Sequence, residues 1–137
     1  MEDKNNKIKK KNNFGTRVKN KFGNALRGIV TALREESSLI VYLIMIIISI
    51  GLGIWLQLST IEWAIILLTI GIVTGFEFVN TSIENFVDLL SFEYNIKAKK
   101  IKDICAAASI INAIIAVAIG FLIYLQHFID FILQLTS

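Results

Sequence analysis

The sequence predicts an all-α integral membrane protein, with three transmembrane helices and an N-terminal amphipathic surface helix. Three observations carry this prediction. Long uncharged apolar runs alternate with short polar links, proline is absent, and all 14 Lys and Arg residues fall in two blocks, Lys4 to Arg34 and Lys97 to Lys102. The formal charge of +3 therefore conceals two strongly basic segments in a chain otherwise almost bare of cations. A length of 137 residues suits one domain.

Residues 1–13, MEDKNNKIKKKNN, show no hydrophobic periodicity. They cannot offset ordering entropy by burial, so a disordered basic tail is expected, leaving 14–137 as a single membrane domain. Over about 14–35, Phe14, Val18, Phe22, Leu26, Ile29 and Leu33 recur at steps of three and four, with Arg17, Lys19, Lys21, Asn24 and Arg27 largely elsewhere around the helix. That pattern predicts a basic amphipathic helix on a membrane surface, its cations toward anionic headgroups.

The first span, about 39–58, is uncharged over about 20 residues, enough to cross roughly 30 Å of hydrocarbon as a helix. The second, about 61–79, has Glu62 near its start and Glu77 near its end, and its Gly71/Gly75 spacing permits close helix approach. The third, about 104–128, is uncharged apart from His127. The preference of Lys and Arg for the cytoplasmic side places the N-terminus and the Lys97–Lys102 block inside. Trp55, Trp63, Tyr124 and His127 then fall at the outer boundary, where amphipathic rings are favoured. The first apolar run begins too late and is too long for a cleaved signal, so an uncleaved chain is expected. The lone Cys105 supports no internal disulfide and reads as a small packed residue.

The chemistry concentrates in Gly75 to Leu90, GFEFVNTSIENFVDLL. On a helix, Glu77, Asn80, Glu84 and Asp88 fall within an arc of roughly 80°, one polar stripe among Phe78, Val79, Ile83, Phe86 and Val87. Ionisable groups at membrane depth need a partner, a water-filled cavity or a function. Clustered carboxylates tolerate a polyphosphate only with a divalent cation between them, and hard oxygen ligands suit Mg²⁺. Lys102 could balance phosphate charge from the other side. Two other readings stand beside this one: pairing of the acids with Lys97, Lys99 or Lys100 at headgroup level, and an ion or proton pathway through Glu77. No P-loop, GxGxxG loop, HRD or DFG motif is present, which excludes P-loop enzymes and protein kinases.

These residues resemble the small prokaryotic integral-membrane lipid kinases, the diacylglycerol kinase and undecaprenol kinase family. The family signature ExxNTxxExxxD reads as Glu77, Asn80, Thr81, Glu84 and Asp88, followed by Glu93-Tyr94 and by Lys102-Asp103 leading into Ala106, Ala107 and Ala108, with Glu36 before the first span. The match covers roughly 14–128. The resemblance implies a homotrimer with active sites shared between neighbouring chains at the cytosolic face of a bacterial plasma membrane. It implies Glu77 as general base on the lipid hydroxyl and Glu36 and Glu84 as metal carboxylates. Asn80, Lys102 and Asp103 would contact or organise the nucleotide, with Arg17 and Glu93 as further nucleotide-binding candidates and Asp88 in support. Ser82 stands where many members have alanine. Ser38, Ile40 and Tyr42 lie where Gram-positive members often carry Asn, Arg or Lys, and His.

The expected function is an ATP- and Mg²⁺-dependent lipid kinase, with undecaprenol the favoured acceptor and diacylglycerol the alternative. The partners expected are the bilayer, ATP and a lipid alcohol, and no nucleic acid. A non-enzymatic membrane assembly or regulatory subunit is the competing class.

Overall fold

A computed structural model describes residues 14–91, 93 and 95–136. The expected tail over 1–13, and Tyr94, lie outside the described residues. The chain contains α1 (Phe14–Glu35), α2 (Ser37–Trp55), α3 (Thr60–Leu90) and α4 (Ile96–Thr136), with no strand among the described residues. It forms two units, one containing α1 and the other running from Glu36 onward.

α1 bears out the periodicity over 14–35. Phe14, Phe22 and Leu26 of its apolar face are strongly exposed, as a helix that rests on an apolar phase requires. The helix stops because Glu36 is extended, with φ −114° and ψ 111°.

α2, α3 and α4 are each long and apolar enough to cross a membrane. Between α2 and α3 the chain reverses within a few residues. Gln57 takes φ 55°, and the backbone N–H groups of Gln57 and Leu58 donate to the carbonyls of Ile54 and Gly53, a Schellman ending with glutamine in the left-handed position that glycine usually fills. Ser59 then opens α3 through a reciprocal cap: its hydroxyl accepts from the Glu62 N–H, and the Glu62 carboxylate accepts from the Ser59 N–H at 2.8 Å. A methyl group at Gly53 would stand 2.9 Å from the Trp63 ring, so this glycine lets α2 and α3 meet closely beside the turn.

α3 and α4 pack most extensively, and three polar contacts set them antiparallel. His127 Nε2 lies 2.8 Å from Glu62 Oε1, the Ser109 hydroxyl donates to Glu77 Oε2, and Lys102 Nζ lies 2.9 Å from Asp88 Oδ1. α2 joins α4 more sparingly, chiefly where the Tyr124 hydroxyl donates to the Ser49 carbonyl at 2.8 Å.

Two helices outrun their apolar segments. α3 continues through the polar stripe to Leu90, and α4 begins at Ile96 and runs for 41 residues, about 60 Å. Backbone hydrogen bonding does not require an apolar setting, so the edge of an apolar run marks where the solvent changes, not where a helix stops. α4 starts where it does because Asn95 Oδ1 accepts from the N–H groups of Lys97 and Ala98, at 2.8 and 3.4 Å.

Candidate active site

The end of the α2–α4 unit opposite the Gln57 turn is the basic end, where Lys97, Lys99, Lys100 and Lys102 open α4. One uninterrupted helix carries Glu77, Asn80, Glu84 and Asp88, so the stripe expected from spacing forms as a single row.

Glu77 is 6% exposed, a carboxylate buried among apolar helices. Its Oε2 accepts from the hydroxyl of Ser109, itself 4% exposed. Among the described residues, no donor reaches Oε1. Thr81, one turn along α3, is buried too. Buried polar side chains therefore gather where α3 and α4 meet, in a unit whose other buried side chains are hydrophobic. Between the spans runs an open apolar cleft of about 580 Å³. Its lining includes Val73 and Ala113, one helical turn from Glu77 and Ser109 respectively.

One turn beyond Glu77, Asn80 Nδ2 donates to Glu84 Oε1 at 3.0 Å. This fixes the amide, and Asn80 Oδ1 is left buried without a hydrogen-bond partner. An unsatisfied buried acceptor is costly, a cost that a water, an ion or a ligand would relieve. Farther on, Lys102 donates to both oxygens of Asp88, at 2.9 and 3.0 Å, and also feels the charge of Glu84.

The expected residues divide accordingly. The fold brings Asn80 to Glu84 and Lys102 to Asp88, and it buries Glu77. Glu36 is half-buried at the start of α2 and makes no side-chain cap there. Asp103 and Glu93 are exposed, and neither they nor Glu36 pair with the stripe. Arg17 is exposed on α1. Sequence reasoning missed Ser109, whose only signal is a lone hydroxyl after Ala106, Ala107 and Ala108.

The fit to a divalent cation rests on this donor set. The carboxylate of Glu84 and the carbonyl of Asn80, unpartnered among the described residues, are hard oxygen ligands, as is the carboxylate of Glu36 at the start of α2. Among the described residues, no three His, Cys, Asp or Glu side chains gather into a metal cage. Mg²⁺ commonly takes one or two carboxylates and completes its shell with waters and phosphates.

Two kinds of comparison bear on this arrangement. Over 73 residues the chain is 44% identical to the undecaprenol kinase of Bacillus subtilis, covering 53% of this chain and 59% of that protein. Over 87 residues it is 33% identical to a diacylglycerol kinase of Helicobacter pylori and 32% identical to that of a second strain, covering 64% of this chain and 68% of each relative. The sequence profile described as prokaryotic diacylglycerol kinase matches residues 23–124, which include α2, α3 and most of α4 together with Glu36 and the whole stripe. With its three apolar spans and its matched core, this chain belongs to the prokaryotic diacylglycerol kinase family.

Proposed function

We propose that the chain is an ATP- and Mg²⁺-dependent lipid kinase that phosphorylates the hydroxyl of a membrane lipid at the cytosolic face of a bacterial plasma membrane. The observation that carries this reading is Glu77: a buried carboxylate at membrane depth, without a cationic partner, with one oxygen held and the other open. The lipid hydroxyl oxygen attacks the γ-phosphorus of ATP, the bond from that phosphorus to the β-bridging oxygen breaks, and ADP leaves. Glu77 Oε1 receives the hydroxyl proton. The apolar cleft fits the lipid's hydrocarbon, since it ends one turn from Glu77 and so delivers a headgroup hydroxyl to that level. Asn80 and Glu84, with Glu36, would hold Mg²⁺, which when bound supplies charge neutralisation across the phosphates. Lys102 and Asp103 organise the nucleotide, with Glu93 at its periphery and Asp88 holding Lys102 in place, and Arg17 of α1 is a further nucleotide-binding candidate.

Undecaprenol is the favoured acceptor because the Bacillus relative bears that name at 44% identity, and diacylglycerol is the second reading because the Helicobacter relatives bear that one. The chain spans 59% of the first relative's length, so its acceptor is a matter for assay. Assembly as a homotrimer with shared sites is supported by the lightly buried spans and by catalytic candidates that a single chain leaves apart. The non-enzymatic reading required the acids to pair with lysines. Among the described residues only Asp88 does so, at Lys102.

Transfer of labelled phosphate from ATP to undecaprenol and to diacylglycerol, compared side by side in mixed micelles, tests the acceptor. We expect the undecaprenol rate to be at least about tenfold higher, a margin of roughly 1.4 kcal/mol in transition-state binding. Phosphorylation of neither lipid, together with no ATP binding by calorimetry in the presence of Mg²⁺, would overturn the kinase reading.

A further inference from the structure

We infer that Ser109 is a positioning residue for Glu77, holding its carboxylate by Oε2 so that Oε1 faces the arriving lipid hydroxyl. The inference rests on the reading of Glu77 as the base.

Hydroxyl groups in apolar helices usually turn back onto their own backbone. Four do so here: Thr69 donates to the Ile65 carbonyl, Thr74 to that of Ile70, Ser82 to that of Phe78 and Thr136 to that of Ile132. Ser109 does not. Its hydroxyl crosses from α4 to α3 and reaches a carboxylate 32 residues earlier in the chain.

Both partners are almost fully buried, and among the described residues Glu77 takes no other hydrogen bond. The torsion that turns a glutamate carboxyl group is soft and roughly two-fold, so an unheld carboxylate samples a range of planes. One donor on one oxygen fixes that plane and assigns the second oxygen to the substrate. The hydroxyl of Ser109 gives its one proton to this contact, and a serine oxygen is too weak a base to take the lipid proton in place of Glu77. A base must also stand within hydrogen-bond reach of the proton it takes, which makes orientation a kinetic quantity.

The test uses the full chain in mixed micelles with ATP and undecaprenol, measuring kcat and both KM values. Ser109→Ala removes one atom. We expect kcat to fall about 10-fold while KM for ATP stays within about 2-fold, as a misplaced base predicts. Ser109→Thr, which keeps the hydroxyl, should recover most of the rate, whereas the equally sized Ser109→Val should not. This second pair carries the test should Ser109→Ala fail to fold. In a Glu77→Gln background, already slowed about 100-fold or more by loss of the base, Ser109→Ala should cost nothing further.

An unchanged kcat in Ser109→Ala, or an equal loss with and without Glu77, would overturn the positioning role while leaving Glu77 as the base. Near-normal turnover by Glu77→Gln would overturn the base reading and this inference together.

Discussion

Two glutamates of α3 reach across to α4, one in its first turn and one near its middle, and their circumstances are opposite. Glu62, at the turn end, is saturated. The Ser59 N–H and hydroxyl donate to its Oε2 at 2.8 and 2.7 Å, and His127 lies 2.8 Å from its Oε1. Glu77, near the middle of the helix, is more deeply buried yet, among the described residues, has a donor on one oxygen only. Asn80 beside it repeats the pattern, its amide nitrogen engaged and its oxygen unpartnered. The contrast teaches where stability and chemistry are divided. An acid whose acceptors are all occupied closes a helix end, and an acid left half satisfied inside an apolar unit has capacity for a substrate.

The comparison breaks if the stripe proves dispensable. Glu84→Gln should have the largest effect among the substitutions that spare the base. It removes the charge opposite Asn80, and the Mg²⁺ concentration for half-maximal turnover should rise up to about 100-fold, read from turnover across a Mg²⁺ series. Lys102→Met should have a smaller effect, about 10-fold on kcat/KM for ATP, with thermal stability nearly unchanged, because an exposed pair such as Lys102–Asp88 is screened by water and contributes little to stability. A large loss of stability there would recast that pair as a structural clamp. Ser59→Ala sharpens the other side of the comparison. Loss of the cap should cost about 1 kcal/mol and lower the unfolding midpoint by a few degrees, with turnover per folded molecule unaltered. A drop in turnover would mean that the turn end communicates with the stripe.

Much of this was legible in the sequence, because the bilayer imposes simple rules. Three uncharged runs read as three spans, and a polar row at helical spacing read as one face of α3. The cap at Ser59 was legible too, in the Ser-x-x-Glu spacing, although the topology reading passed over it. What escaped has a common cause. The start of α4 at Ile96 depends on a single side chain, Asn95, and the role of Ser109 depends on which residue of a distant helix comes opposite it. Register between helices is set by packing at positions such as Gly53, where a ring fills the space of an absent side chain, and no local periodicity encodes it. Arg17, Glu93 and Asp103 illustrate the same limit from the other direction, since the family resemblance implies a site role for them and a single chain leaves them exposed.

The contact between Glu77 and Ser109 also bears on how the chain is made. The turn joining α2 to α3 is tied by hydrogen bonds between neighbours in sequence, so this hairpin can form as soon as it leaves the ribosome. Glu77 has no such local partner. Until the chain has been extended through Ser109 and α4 has docked, the nascent hairpin carries an unsatisfied carboxylate toward the bilayer. Arrival of α4 thus supplies the donor that Glu77 lacks until then, so the order of synthesis decides when the buried carboxylate of α3 gains its partner.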